Sequence, residues 1–321
     1  MRISMAFLLS LLGTTWCLGA GVYPNKPVRV IISYGAGSGT DTVGRMVMQR
    51  LSEQLGRQFV VENRTGAGGI VGNGILAKST PDGYTLIVPD TGTTITASLY
   101  KSLPYDVAKD FAPISQFART PAVLVVNPSL NVSTLKELIA LAQANPGKYN
   151  YGSSGVGGSL HLFVELFKIA AKINIKHIPY DGGGTMLAAA VSGTDVQVLM
   201  TAIATTKQLV TSGRLRPLAV TTDGKRVPSM PEVPSMSEAG IAGMTIYLWQ
   251  GLAGPAGIPR EVANKLHTEV ARALAVPAVQ QWFVAQDAET VGSSPEQFSL
   301  HVRNELRRWS TVIKEAGITI D

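Results

Sequence analysis

The 321-residue sequence contains little cysteine and little charge. Its single cysteine, Cys17, lies near the N-terminus, so a mature chain without the first twenty residues can form no disulfide. Charged residues make up 16% of the chain, against about 25% in an average globular protein. The net charge of +6 comes from Lys and Arg residues that are scattered among acids. A nucleic-acid-binding surface normally clusters its basic residues, so we expect no nucleic-acid partner.

Long hydrophobic runs are also missing, apart from one near the N-terminus. The apolar segment Met5–Leu12 follows Arg2, and together they are typical of a cleavable secretory signal over residues 1–20. The segment is shorter than the ~20 residues of a membrane span, which makes a membrane anchor the weaker interpretation. We therefore expect export to the periplasm and a soluble mature chain. The small residues that offer alternative cleavage positions are Gly19, Ala20 and Gly21.

The rest of the chain alternates short β-branched runs with amphipathic segments. Val28–Ser33 is typical of a strand, and Asp41–Leu55 has apolar residues at helical spacing and is followed by the C-terminal cap residue Gly56. The last third returns to helix, beginning with Arg260–Leu274. With 45% hydrophobic residues the chain is not intrinsically disordered. The pattern predicts an α/β fold with mostly parallel sheets flanked by helices.

Two α/β series of this kind predict two lobes around a ligand cleft. We expect the chain to cross between the lobes near residues 115–125 and 240–250, where hinges would lie. Near the second crossing, hinge packing is a better explanation than a pocket wall for Tyr247, Leu248 and Trp249. The predicted boundaries are residues 1–20 for the signal peptide, 21–120 plus 245–321 for lobe 1, and 121–244 for lobe 2.

Three loops share one construction: a strand, a turn rich in Gly, Ser and Thr, and the start of a helix. At a helix N-terminus several backbone N–H groups lack an intrahelical partner, and the helix dipole adds partial positive charge. Glycine lets a ligand oxygen approach these groups, and Ser and Thr hydroxyls add donors. In α/β folds such loops gather at the carboxyl ends of the strands. The loops are Gly35–Asp41, Gly66–Gly74 and Gly152–Ser159.

Each loop taken alone is better explained as a tight turn, whereas three in one exported chain favour an anion site built from neutral donors. Such a site holds a carboxylate without a buried Arg, which keeps release easy, as a carrier requires. The candidate ligand-binding residues from these loops are Gly37, Ser38, Gly39, Thr40, Asp41, Gly66, Ser153, Ser154, Gly155, Gly157 and Ser159.

Catalytic motifs are incomplete in this sequence. The dinucleotide-binding pattern G-x-G-x-x-G fails at its third glycine, where Thr40 stands, and the nucleophile elbow G-x-S-x-G fails at Val156. The histidines are dispersed. His161 and Glu165 share a helix face, where a surface pair is a better explanation than a metal site. We therefore expect no enzyme activity, no cofactor and no metal.

Ordered motifs run along the chain from Tyr23 to about Ile320. They include YPNKPVRVII at Tyr23–Ile32, VVENRTGAGG at Val60–Gly69, LPYDVAKDFAPI at Leu103–Ile114, YGSSGVGGSLHL at Tyr151–Leu162 and HIPYDGGG at His177–Gly184. This series resembles the Bug-type (TctC-like) periplasmic solute-binding proteins of tripartite tricarboxylate transport systems. The resemblance implies a two-lobed "Venus flytrap" that closes on a small carboxylate, carries out no reaction and delivers its ligand to a membrane permease. We expect a monomer.

The resemblance also implies roles for particular segments. The loops Gly37–Asp41 and Gly152–Ser159 would grip one carboxylate of the ligand. Variable residues around Thr91–Thr94 and Thr201–Ala204 would read its far end, which adds three candidates. They are Thr91, Thr93 and Thr201.

One further candidate is Asp181, which stands where the family often has Lys or Arg. It is either solvated or faces an amine or hydroxyl of the ligand. Few positive residues are expected near the loops, which favours mono- or dicarboxylates, including aromatic ones, over tricarboxylates.

Two other functions remain alternatives. A ligand-sensing subunit of a membrane signalling receptor would use the same flytrap. An exported hydrolase would need a Ser-His-acid set, and none is visible.

Overall fold

The computed structural model describes residues 23–320, so the predicted signal peptide at residues 1–20 lies outside the described residues. The strands are β1 Val28–Ile32, β2 Phe59–Asn63, β3 Thr85–Ile87, β4 Phe111–Val126, β5 Asn150–Ser153, β6 Lys176–Pro179, β7 Val198–Ala202, β8 Arg216–Val220, β9 Tyr247–Pro255 and β10 Glu289–Thr290. The helices are α1 Gly39–Leu55, α2 Ile70–Ala77, α3 Thr91–Leu99, α4 Val107–Asp110, α5 Leu135–Ala144, α6 Ser159–Ala171, α7 Gly183–Ser192, α8 Ile203–Thr211, α9 Arg260–Leu274, α10 Pro277–Ala285 and α11 Pro295–Ala316.

Strand β4 is shared by two sheets, which define the two lobes of an α/β fold. The strand order is β2-β1-β3-β9-β4-β7-β5-β6, and β8 and β10 also pair with β4. Residues 111–121 of β4 pair with β9 in the sheet of lobe 1. Residues 122–126 pair with β7 and β8 in the sheet of lobe 2.

Each sheet combines a parallel part with antiparallel crossing strands. Strand β1 is parallel to β2 and β3, and β5 is parallel to β6 and β7, as the alternating pattern predicts. Strands β4 and β9 add antiparallel pairs. The reason is geometric. Strand β4 runs in the direction of the parallel strands of lobe 1 and continues into lobe 2, where it is antiparallel to β7. Strand β9 runs in the opposite direction, into lobe 1, and is therefore antiparallel to both β3 and β4.

Alternate residues of the inner strands face opposite helix layers, because successive side chains of a strand point to opposite faces. In lobe 1, Val30 packs in the core cluster with α1 and α9, whereas Ile31 packs with α2 and α11. In lobe 2, Leu124 packs under α5 and α6, whereas Val125 packs under α7 and α8. These side chains are fully buried, and each stabilises the fold by about 1.5–3 kcal/mol. Within residues 23–320, no helix has both the length and the apolar content needed to cross a bilayer.

Candidate ligand-binding site

A cleft of about 490 Å³ lies where the two lobes meet. This volume is within the range of small-molecule sites. Lobe 1 contributes Gly39, Thr40, Asp90, Thr91, Leu248, Trp249 and Gln250 to its walls. Lobe 2 contributes Ser159, Leu160, Gly183, Gly184, Met186, Leu187, Thr201, Ala202 and Thr205.

The N-termini of five helices reach this cleft: α1, α3, α6, α7 and α8. Ser38 and Asp90 cap α1 and α3 with their side chains. The N-cap residues of α6, α7 and α8 are Gly158, Gly182 and Ala202, and none of them supplies a side-chain cap. Free N–H groups in the first turns of these helices are therefore available to a ligand, and their dipoles favour an anion.

Asp90 is the only ionisable side chain among the described residues that line the cleft. Its Oδ2 accepts a 2.6 Å hydrogen bond from Thr40 Oγ1, and its Oδ1 accepts one of 3.1 Å from the Thr93 amide. Burial raises the pKa of Asp90 above its usual value, although hydrogen bonds from Thr40 and Thr93 oppose the rise. Sequence reasoning missed this residue, because it assigned the end of β3 no chemical role.

The β1–α1 loop, residues 33–38, is held by a charged network. Asp41 Oδ2 accepts a hydrogen bond from the Gly37 amide, and Oδ1 accepts from Arg45 Nε, both at 2.9 Å. Asn63 Nδ2 donates to the same Oδ1 at 2.8 Å. Burial alone would raise the pKa of Asp41, but hydrogen bonds from Asn63 and Gly37 and the charge of Arg45 hold it below its usual value. Asp41 thus stabilises the loop and does not face the cleft.

The β5–α6 loop, residues 154–158, is held by two histidines. Its Gly157 amide donates to His161 Nδ1 at 3.0 Å, and Ser153 Oγ lies 2.7 Å from His177 Nε2. The two imidazole rings stack with centroids 3.9 Å apart. Burial lowers the pKa of both His161 and His177 to about 4. Both rings are therefore neutral at pH 7, which leaves Nδ1 of His161 free to accept.

The placement of His161 and Glu165 on a helix surface was wrong. Both side chains are buried, at 4% and 6% exposure. Glu165 accepts hydrogen bonds from Tyr151 Oη and from Lys168 Nζ, the latter at 2.7 Å. Helix α6 is buried on several faces, so its polar pair packs against β5 and β6 instead of facing water.

The structure brings some of the predicted site residues together at the cleft. Those that line it are Gly39, Thr40, Thr91, Ser159 and Thr201. An adjoining cavity of about 380 Å³ is also walled by Asp90, Ser159 and Leu160, and it adds the predicted residues Ser154 and Gly157.

Other predicted site residues lie outside the walls of both cavities. Thr93 is buried in the α3 capping box with Asp90, and Asp181 is exposed just before the N-cap of α7. The full set outside the walls is Gly37, Ser38, Asp41, Gly66, Thr93, Ser153, Gly155 and Asp181.

The apolar wall of the cleft was also missed by sequence reasoning. Leu160 and Met186 lie in the first turns of α6 and α7. Leu160 follows the loop Gly152–Ser159, and Met186 follows the glycines of the motif His177–Gly184. That position was a usable signal. Leu248 and Trp249 come from the start of β9, and the sequence favoured hinge packing over a pocket wall for both, although they line the cleft.

Comparison with known proteins agrees with this architecture. Residues 43–318 match the family model described as tripartite tricarboxylate transporter family receptor. Protein BugT of Bordetella pertussis is 32% identical over 305 residues, which cover 94% of this chain and 92% of BugT.

Solved structures show the same fold. The R. palustris protein Rpa4515 with adipate is 36% identical, with a TM-score of 0.80 over 92% of this chain and 99% of that chain. The periplasmic binding protein BugD is 31% identical, with a TM-score of 0.77 over 92% and 99% of the two chains. MatC from Rhodopseudomonas palustris with bound malate is 28% identical, with a TM-score of 0.77 over 91% and 100%. With its two lobes and interlobe cleft, this chain therefore belongs to the tripartite tricarboxylate transporter receptor family, the Bug-type (TctC-like) solute-binding proteins.

Proposed function

We propose that this protein is a periplasmic receptor that captures a small carboxylate between its lobes and delivers it to a membrane permease of a tripartite tricarboxylate transport system. The observation that carries the proposal is the convergence of five helix N-termini on a cleft whose described walls contain no Lys or Arg. Each helix end stabilises a nearby anion by about 0.3–1 kcal/mol. Several ends together favour a carboxylate while leaving its release easy.

Two relatives support the carboxylate class, because one was solved with adipate and another with malate. In this chain, the amides of Gly39 and Ser159 start α1 and α6 on opposite walls of the cleft. A carboxylate between them would accept hydrogen bonds from both lobes. Binding and domain movement would then be linked.

The proposed lobes are residues 21–120 with 245–321, and residues 121–244. The chain crosses between them through β4 and β9, whose pairing shifts register between Pro113 and Ser115 and between Gln116 and Ala118. Such irregularities bend a strand locally. A ligand that contacts both lobes stabilises the closed state by its differential affinity for that state.

The proposal is tested by a thermal-shift screen of the purified protein against small carboxylates and their neutral amides. A ligand at about 100 times its Kd adds about 2.7 kcal/mol, which raises Tm by a few degrees. We expect carboxylates to raise Tm and the matched amides to leave it unchanged. Equal shifts with amides, or no shift with any carboxylate, would contradict carboxylate capture.

Closure and delivery need their own measurements. Small-angle scattering with a saturating carboxylate is expected to give a smaller radius of gyration, and unchanged dimensions would contradict closure. Deletion of the gene is expected to abolish uptake of the same labelled ligand. Normal uptake with a lost transcriptional response to the ligand would instead identify a sensing subunit.

A further inference from the structure

We propose that the ligand is a monocarboxylate with an apolar body, and that Asp90 excludes molecules that carry a second carboxylate. This inference rests on the proposed function, because it takes the interlobe cleft as the carboxylate site. It goes further by defining which carboxylates the cleft accepts.

Asp90 already occupies one of the anion positions of the cleft. It is the N-cap of α3, where its Oδ1 accepts from the Thr93 amide, and its Oδ2 accepts from Thr40 Oγ1 on α1. Burial raises the pKa of this carboxyl, whereas hydrogen bonds from Thr40, Thr93 and Tyr34, all uncharged groups, favour its ionised form. The N-terminus of α3 is therefore occupied by the protein itself, and both Asp90 oxygens already accept hydrogen bonds, so this part of the wall offers no donor to a second carboxylate.

The other walls of the cleft combine apolar side chains with neutral polar groups, and their described residues include no Lys or Arg. Leu160 and Leu187 of lobe 2 and Leu248 of lobe 1 line the cleft with half-buried side chains, and the wall residues Met186 and Trp249 are buried. A hydrocarbon chain or aromatic ring between them would lose its contact with water on both sides, which favours binding. A charged group at the same place would be desolvated without a partner, which opposes binding.

The two ends of a dicarboxylate would therefore meet different environments. The first carboxylate finds the uncapped N-termini of α6, α7 and α8. The second finds apolar side chains, neutral polar groups such as Thr201 and Gln250, or the carboxyl of Asp90. No Lys or Arg among the described wall residues compensates for its charge. Repulsion between the ionised form of Asp90 and the second carboxylate, in a cleft of this size, lowers the affinity for a dicarboxylate by about tenfold or more.

Isothermal titration calorimetry with matched pairs of ligands tests the inference on the purified protein. Each pair has the same carbon skeleton and differs by one carboxylate: hexanoate with adipate, octanoate with suberate, and benzoate with terephthalate. We expect the monocarboxylate of at least one pair to bind about tenfold more tightly than its partner. Dicarboxylates that bind as tightly as or more tightly than their partners would overturn the inference and leave the proposed function intact. Failure of all six ligands to bind would overturn both.

Asp90→Asn isolates the charge, because Asn is as good an N-cap as Asp. We expect the ratio of the dicarboxylate Kd to the monocarboxylate Kd to fall about tenfold in this variant. The matched control is Asp195→Asn, which removes an exposed carboxylate after α7 and should leave the ratio unchanged. An unchanged ratio in Asp90→Asn would show that Asp90 does not discriminate. If this variant fails to fold, the wild-type comparison of ligand pairs still decides whether the cleft excludes a second carboxylate.

Discussion

The loops that follow β1 and β5 are similar in composition and differ in what holds them. The β1–α1 loop is fixed by an ionised carboxyl, Asp41, that binds Gly37, Arg45 and Asn63. The β5–α6 loop is fixed by a neutral imidazole, His161, that accepts from Gly157. The stability of these two loops, which are both rich in Gly and Ser, is therefore expected to respond differently to substitution and to acid.

Their surroundings differ as well. No atom lies within 4 Å of the position that a Cβ on Gly37 would take. A Cβ on Gly157 would lie 2.4 Å from Leu99 Cδ2 and 2.9 Å from Ile320 Cδ1. Leu99 belongs to α3 of lobe 1, so the β5–α6 loop also contacts the opposite lobe.

The largest expected difference between the loops comes from alanine at these two glycines. Both have a positive φ, +81° at Gly37 and +75° at Gly157, which costs any L-residue about 1–2 kcal/mol. Gly157→Ala adds a steric clash with Leu99, so we expect a total loss of about 2–5 kcal/mol against about 1–2 kcal/mol for Gly37→Ala. Urea denaturation of the two variants measures this. Equal losses would show that the β5–α6 loop is not packed against α3.

Acid is expected to destabilise the β5–α6 loop before the β1–α1 loop. The pKa of His161 is about 4 in the folded protein and about 6.5 in an unfolded chain, so the unfolded state binds more protons between these values. Stability therefore falls as the pH drops from about 6.5 to 4, by about 3 kcal/mol for this histidine. Asp41 stays ionised throughout this window, because its pKa is held below the usual value of 3.8.

The measurement is Tm against pH for the wild type and for His161→Gln. We expect the variant to have a shallower slope between pH 6.5 and 4.5, but not a flat one. Burial also lowers the pKa of His177 and His301 to about 4, so both contribute in the same window. His267→Gln, on α9, serves as the matched control. A wild-type slope in His161→Gln would mean that this imidazole does not stabilise the loop.

The smallest expected effect concerns capping. Ser38 caps α1, whereas the equivalent Gly158 leaves α6 without a side-chain cap. Gly158 has φ −71° and ψ 162°, and its Cβ would lie 3.5 Å from the Gly155 carbonyl oxygen, so serine fits. Gly158→Ser should raise stability by a few tenths of a kcal/mol and weaken carboxylate binding, because its hydroxyl competes for the α6 amides. Tm and Kd measured together test this. Unchanged affinity would mean that these amides do not contact the ligand.

Much of the fold could be predicted from local sequence patterns. The helix expected over Arg260–Leu274 has those bounds in the structure, and the strand expected over Val28–Ser33 ends one residue earlier. Apolar periodicity and cap residues lie within one segment, so a single sequence reveals them. The strands that pair with β4 and β9 could not be predicted from local patterns, because this pairing depends on how the chain crosses between the lobes.

The site residues also divide into those with a local sequence signal and those that depend on long-range strand pairing. Thr40 and Ser159 were found because a glycine-rich turn before a helix is a local signal. Asp90 was missed, and Leu248 was interpreted as hinge packing, because both reach the cleft only when β3 and β9 pair in lobe 1. His161 was placed on the surface because helical spacing shows which residues share a face, but not what covers that face.

The position of β9 in the sheet also has a consequence for biosynthesis. Lobe 2 takes its strands from one stretch of chain, from the end of β4 to β8, so its sheet can form once residue 220 has been made. Lobe 1 cannot do this, because β9 lies between β3 and β4 in its sheet. Until residues 247–255 emerge, the edges of β3 and β4 stay unpaired, and α11 is not yet available to cover them. The nascent chain can therefore complete the sheet of lobe 2 before the sheet of lobe 1, whereas Trp309 of α11 packs on Phe163 of α6 only after the C-terminal helix has been made.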